Sequence, residues 1–518
     1  MDPAALGKTH VDLIGARGVP FMARRAYTIE VRHFLFWGLF AGLVEGTVSA
    51  VVVAKTFGGS NFLITVVQAT PAFANLVSLY WGALIVGRRK IPAFIALASA
   101  SVAVALSIAV TPRSDLGGWI FALQICLSRV FMSGVVTTRA SLWKSNYPRS
   151  HRGRITANLQ IVRTLMSLPV ILGGGLLFDL APDAYHWFYP TIAVIGAFGL
   201  LVLRGERVRG EERTISHRIN GAAREPIAQV SDPLQPAIEA EDEKKPLADD
   251  GVIEPFSLVA LVSPWQIIHR MKQVLRADPR FARYCKAQMC IGTANLMVMP
   301  VNTIVLTKVL NLNYTLSNGL LDFIPRVVTI AMLPVWARLF DRVGVLRFRM
   351  SNSLCWCGSL LFCGLGALFA HLSIGQAGAL ATVAIGIYVL GRLFEGFAQS
   401  GGAIAWNIGH LHFAEDDKAE LYMGIHVSLT GLRGLIAPFL GALLYTYIGW
   451  LVFMVGFVIS LIGYFIFAGL AREEAALSCD SPQRDETAAP EVPSNGDPAP
   501  RATRPSRPLQ DASRGNAS

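Results

Sequence analysis

Twelve long apolar runs decide most of what this chain can become. They lie at about 35–54, 62–86, 91–111, 118–143, 156–179, 186–203, 284–308, 315–339, 350–371, 377–407, 423–446 and 448–470. Each approaches the ~20 residues that an α-helix needs to cross the hydrocarbon core of a bilayer. A lipid-exposed span must satisfy its own backbone hydrogen bonds, which leaves helices or a closed barrel. The alternating ten-residue strands of a barrel do not appear in the sequence. Composition agrees, because charged residues make up only 16% of the chain and hydrophobic ones 53%. A soluble domain carries about 25% charged residues, so this chain has too little charge to cover a soluble enzyme or to stay disordered.

Orientation follows from Lys and Arg, which collect on the cytoplasmic side of a membrane protein. Seventeen fall on one side: Lys8, Arg17, Arg24, Arg25 and Arg32 before span 1; Arg88, Arg89 and Lys90 in loop 2–3; Lys144, Arg149, Arg152 and Arg154 in loop 4–5; Arg338, Arg342, Arg347 and Arg349 in loop 8–9; and Lys418 in loop 10–11. Lys55, Arg113 and Lys308 fall on the other. The expectation is a multi-pass protein of a bacterial cytoplasmic (inner) membrane with both termini cytoplasmic. The net charge of +11 then belongs to a membrane surface, so lipid rather than nucleic acid is the expected partner.

Residues 1–32 lack the apolar core of a signal peptide and read as a cytoplasmic segment. Residues 33–204 read as a first six-helix bundle, 205–280 as a polar central loop, 281–470 as a second bundle, and 471–518 as a disordered tail rich in Pro, Ala and Ser. Near 263–277, Trp265, Ile268, Met271 and Leu275 share one helical face with Arg270, Lys272 and Arg276 interleaved, a pattern suited to the inner leaflet. The cysteines sit mostly in apolar runs and read as small buried hydrophobes. No metal and no cofactor is expected.

The two halves repeat each other. Arg129 and Trp143 are fourteen apart in span 4, as are Arg392 and Trp406 in span 10. Leu127, Ser128, Arg129, Val130 and Phe131 mirror Leu390, Gly391, Arg392, Leu393 and Phe394. Arg163 precedes Pro169 in span 5 as Arg433 precedes Pro438 in span 11; Gln68 stands three before Pro71 in span 2, and Asp322 three before Pro325 in span 8. Two related bundles joined by a long polar loop are the sequence pattern of a secondary transporter.

On these residues the chain resembles the major facilitator superfamily of secondary transporters. That family's loop pattern, a small residue, then Asp-Arg, then Gly and a basic residue, is matched by Ala337, Asp341, Arg342, Gly344 and Arg347. The first-half equivalent keeps Gly82, Gly87, Arg88 and Arg89 without the Asp. The family's Arg-x-x-Gln-Gly stands here as Arg392, Glu395 and Gly396, and its exporter pattern in span 5 is poor, reduced to Pro169 and Gly173. The resemblance implies an all-α membrane fold of twelve helices in two pseudo-symmetric six-helix bundles.

Charges at bilayer depth cost roughly 2.5–3.5 kcal/mol each on insertion scales, so those present are candidate functional groups. Glu45, Asp322 and Glu395 are the candidate proton carriers. Glu45 has no partner on its own helix, and desolvation favours the neutral form of such a carboxyl. Asp322 with Arg326, and Arg392 with Glu395, are placed to pair along one helix. Arg129, Arg163, Arg326, Arg392 and Arg433 are candidates for a substrate cavity, joined by Gln288, Asn295 and Asn302, which fall seven apart on one face of span 7. Five arginines against three acids lean the cavity toward anionic solutes.

These readings converge on a proton-coupled secondary transporter of a small organic solute, working as a monomer by alternating access and not as an enzyme. No Ser/His/Asp or metal cluster stands out, and no Gly-x-x-x-x-Gly-Lys-Ser/Thr loop supports ATP-driven pumping. A drug/proton antiporter and a transport-inactive sensor stay open at this point. For gating, the family pattern assigns Asp341, Arg342 and Gly344. The basic loop 4–5, with Arg152 and Arg154, and the acidic loop 10–11, with Asp416 and Asp417, are expected to pair when the cytoplasmic side closes.

Overall fold

The computed structural model describes residues 16, 18–85, 88–212, 264–374, 378–413 and 419–480. The helices are α1 (Arg24–Glu45), α2 (Val48–Lys55), α3 (Asn61–Ile85), α4 (Lys90–Leu106), α5 (Asp115–Asn146), α6 (Arg149–Leu180) and α7 (Tyr185–Leu203). After the central segment come α8 (Pro264–Ala277), α9 (Pro279–Ile304), α10 (Tyr314–Phe340), α11 (Arg342–Leu372), α12 (Ala379–Ile408), α13 (Ala419–Ile448) and α14 (Leu451–Asp480). The chain forms two units, Met1–Arg472 and Glu473–Ser518; all packing described below lies in the first.

Among the described residues, ten helices are long and apolar enough to cross a membrane, and the pair α1 and α2, bent by 43°, makes an eleventh. The twelfth apolar run is α3, 25 residues with no charged side chain.

Local chemistry sets the boundaries. Ser114 caps α5 by accepting from the Gly117 N–H at 3.1 Å, and Asp278 caps α9 by accepting from the Phe281 N–H at 2.9 Å, with Pro279 at the first helical position. The α10–α11 connection leaves helical geometry at Gly344, whose φ of 74° suits glycine. This accounts for the glycine of the family loop pattern. Arg342 beside it is exposed; the Asp341 side chain lies outside the described ones. The amphipathic segment forms α8, and its Met271 and Leu275 pack on the protein, against the cluster of Phe281, Tyr284, Cys285 and Phe467.

In the first half α1 packs on α6 and α7, and α5 on α3 and α4. In the second, α12 packs on the α10–α11 pair and α13 on α9. The halves meet where α3 runs along α13, and small residues allow the approach: a Cβ on Gly434 would fall 2.8 Å from the Ala72 carbonyl carbon.

One end of this seam is closed. Lys55 Nζ donates to Asn311 Oδ1 (3.2 Å), Lys308 Nζ to the Gly59 carbonyl (2.8 Å) and Asn61 Oδ1 (3.0 Å), and Thr56 and Tyr314 share a hydrogen bond of 2.9 Å. Asp179, at the end of α6, accepts from the Tyr314 and Thr315 N–H groups (2.6 and 3.0 Å) and so caps the start of α10. Two of the three bases counted on the outer side are thus seal residues.

At the other end, the first half buries a polar cluster that the sequence reading passed over. Glu30 accepts from Trp143 Nε1 (2.7 Å) and Tyr147 Oη (3.1 Å). His33 contacts the Gly199 carbonyl (2.9 Å) and Arg139 Nη2 (2.8 Å). Glu206, just past α7, accepts from Asn146 Nδ2 (2.8 Å), and burial, then the neighbouring Glu30, push its carboxyl well above the usual range.

The basic bias is checked by placing single cysteines at Asp115 and Arg89, both exposed and at opposite ends. A membrane-impermeant reagent added outside is expected to label Asp115→Cys and spare Arg89→Cys. The reverse pattern would invert the topology.

Candidate functional site

Span 1 is broken at its middle. Glu45 ends α1, Gly46 is extended, and α2 restarts at Val48. Two arrangements hold the break. The first is Arg129 of α5, almost wholly buried, which donates to the Val44 carbonyl (2.6 Å), the Gly46 carbonyl (2.8 Å) and the Val67 carbonyl of α3. The second is Asp322 of α10, whose Oδ2 accepts from the Thr47 N–H at 2.7 Å. A carboxylate there faces the N-terminus of α2, where the helix dipole favours negative charge. A Cβ at Gly46 would come within 2.5 Å of the backbone Gly42 carbonyl oxygen and 2.7 Å of Asp322 Oδ2, so the break and this approach favour glycine.

Around this point lie four charges from three spans. Arg163 of α6 is ion-paired with Glu45. Arg326 contacts Asp322 Oδ1 and Ser167 Oγ, each at 3.5 Å. Glu45, expected to be unpaired, therefore has a partner 118 residues away on another helix. The reason is geometric: α1 and α6 pack closely, with Ser167 of α6 against Gly42 of α1.

Two of the proposed cavity arginines belong to the framework instead. Arg392 repeats the role of Arg129: it donates to the Leu320 (3.0 Å) and Leu321 (2.5 Å) carbonyls and pairs with Glu395. Those carbonyls belong to the π-helical turn Gly319–Phe323, where the donor they would otherwise meet, five residues on from Leu320 and four on from Leu321, is Pro325, which has no N–H. The repeat match of Gln68 with Asp322 places Val67 opposite Leu321, so both arginines hold equivalent carbonyls. Their side chains do not line the cavity. Asn302 also departs from expectation: it accepts from Tyr388 Oη at 3.2 Å and is buried.

Of the remaining candidates three converge, whereas Arg163 and Arg326 stay with Glu45 and Asp322 at the break in span 1 and do not line this cavity. Gln288 and Asn295 of α9 and Arg433 of α13 line a cavity of about 410 Å³ within the second half, together with Arg349 and Trp356 of α11 and Gln399 and Trp406 of α12. Arg433 Nη1 donates to the Gln288 carbonyl at 2.8 Å. Arg349, counted above as a loop charge, is buried; its Nε and Nη2 approach Tyr284 Oη at 3.4 and 3.3 Å. Gln399 Nε2 donates to Glu395 Oε1 at 3.0 Å, which links the cavity wall to the Arg392 pair.

Among the gating candidates, Arg152 donates to the Tyr147 and Lys144 carbonyls and Arg154 to the Gly18 carbonyl, all within the first half. Asp416 and Asp417 lie outside the described residues.

A twelve-span helical bundle with paired charges at bilayer depth defines a membrane transporter of the two-bundle type. The sequence matches the family profile described as Major Facilitator Superfamily over residues 34–388 and 284–514, and the chain belongs to that family. No curated protein matches it by sequence. Solved structures share the fold at low identity. One is a POT family transporter in complex with 5-aminolevulinic acid, 12% identical with a TM-score of 0.58, the match covering 89% of this chain and 98% of that one. A second is the nucleoside transporter NupG, 13% identical with a TM-score of 0.55, covering 85% and 98%. A third, the peptide transporter POT in complex with sulfate, is 15% identical with a TM-score of 0.56, covering 89% and 99%.

Proposed function

We propose that the protein is a proton-coupled secondary transporter of a small organic solute, working by alternating access of its two halves in a bacterial cytoplasmic membrane. The observation that carries this reading is the hydrogen bond from Thr47 in the broken span 1 to Asp322 in span 8. It puts a titratable carboxylate on the joint between the halves, beside the Glu45–Arg163 pair. An interaction biases an equilibrium only if it differs between the states, and a bond across the seam is made only while that side is closed. Protonating Asp322 removes the charge that strengthens the bond, so proton loading and opening become linked. Similar folds named for 5-aminolevulinic acid, peptides and nucleosides support a small polar organic solute.

The test is uptake into liposomes holding the purified protein under an imposed pH gradient. Labelled solute is expected to accumulate above its equilibrium distribution and to lose that excess when a protonophore is added. Counterflow that runs while the gradient leaves the distribution at equilibrium would make the protein a facilitator.

A further inference from the structure

The cavity in the second half has a charge pattern of its own. Arg349 comes from α11 and Arg433 from α13, and their charges are near enough to interact. Among the described residues, neither has a carboxylate within ion-pair distance. The nearest acid on the cavity wall's polar network is Glu395, already committed to Arg392 and Gln399. Two polar atoms at the cavity are buried and without hydrogen-bond partners: Arg433 Nε and Asn295 Oδ1. Arg349 is held by the Tyr284 hydroxyl and the faces of Tyr284 and Phe467, none of which carries a negative charge; two neighbouring guanidiniums with no carboxylate beside them call for an anion, because a buried charge without a counter-charge is costly.

We propose that this cavity binds a small organic dianion, its two charges held by Arg349 and Arg433, with the body of the ligand against Trp356 and Trp406. The proposal rests on the transport reading above and names its substrate class. Guanidinium groups match carboxylate and phosphate oxygens equally well in geometry, so the shared chemistry is the double negative charge. Asn295 and Gln399 supply amide contacts for a neutral polar group on the same molecule. A volume of about 410 Å³ lies within the range of small-molecule sites.

Binding is measured on the purified full-length protein in detergent, at matched ionic strength, by thermal unfolding and calorimetry. The probes are phthalate, its monoamide and its diamide, with succinate and phenyl phosphate as second and third dianions. At least one dianion at millimolar concentration is expected to raise the unfolding temperature, with its monoamide, or a monoanionic ester for the phosphate, weaker by about tenfold or more and its uncharged form inert. Which dianion binds separates a carboxylate from a phosphate ligand. Arg349→Gln and Arg433→Gln are each expected to weaken that dianion by about tenfold or more, while the lysine variants recover part of the loss. The wild-type charge series stands even if a variant fails to fold. No stabilisation by any dianion, or an uncharged analogue that binds as well, overturns the proposal. Because no proton gradient is present, dianion binding without uphill transport would defeat the coupling reading alone, and uphill transport of a neutral solute with inert dianions would defeat this one alone.

Discussion

Replacing Asp322 with Asn is expected to abolish proton-driven accumulation while leaving solute exchange intact. Asn offers the Thr47 N–H an acceptor of the same shape, so the contact at 2.7 Å survives as a neutral hydrogen bond of roughly half the strength. What disappears is a group that changes charge. With one proton coupled to each solute, a gradient of one pH unit sustains about a tenfold concentration ratio; in the variant this ratio falls to about one. Glu45→Gln, which empties the Arg163 pair of its negative charge, is expected to lower the ratio too and to slow exchange, because Arg163 is then left facing Arg326. Uptake and counterflow in the same liposomes separate these outcomes. An Asp322→Asn protein that still concentrates solute would make the carboxylate a structural cap and move the proton site elsewhere.

The largest effect on folding is expected at Arg129. Its guanidinium, almost wholly buried, serves three carbonyls from α1, the break and α3. A buried group left unsatisfied costs about 1–3 kcal/mol, so Arg129→Ala is expected to lose about 3–5 kcal/mol, a large part of a typical total of 5–15 kcal/mol. Purified in detergent, this variant should elute largely as aggregate and unfold at a much lower temperature than the wild type. Arg129→Lys, able to reach fewer carbonyls, should fall between. A variant that is monodisperse and melts like the wild type would mean that the break holds without its clasp.

Sequence alone located the spans, and three of the residues it singled out, Gln288, Asn295 and Arg433, line one cavity in the structure. Apolar length and seven-residue spacing are properties of a single helix, so Gln288 and Asn295 were readable on α9 without knowing their neighbours. Partnership was not readable. Glu45 looked solitary because Arg163 lies on another helix, and Arg129 and Arg392 looked like cavity residues because a sequence does not show which side chain will reach the backbone carbonyls left open at a break or before a proline. Arg349 was missed for a different reason: it follows Arg347 in a basic loop, and counting charges for topology assigns it to the surface, while the helix that begins there turns it inward. Glu30, Arg139 and Glu206 fell at the soft ends of apolar runs, where a charge reads as the edge of a span. The repeat did carry a usable signal for the two clasps, since Val67 and Leu321 occupy matching places beside Gln68 and Asp322.

The bend in span 1 has a mechanical consequence. A kink can serve as a joint when its freed backbone groups are loosely held, but this one is braced by Arg129 to two neighbouring helices. It works as a bracket: α1 and α2 keep their angle and travel together with α3 and α5. Any relative motion of the halves would then fall on the surfaces between them, among them the face where Gly431 and Gly434 of α13 lie against Leu76 and Ala72 of α3. The glycines give α13 no side chains of its own to lift over α3 there, so the hydrogen bonds across the seam, at Thr47 and at the closed end, are what such a motion would have to release.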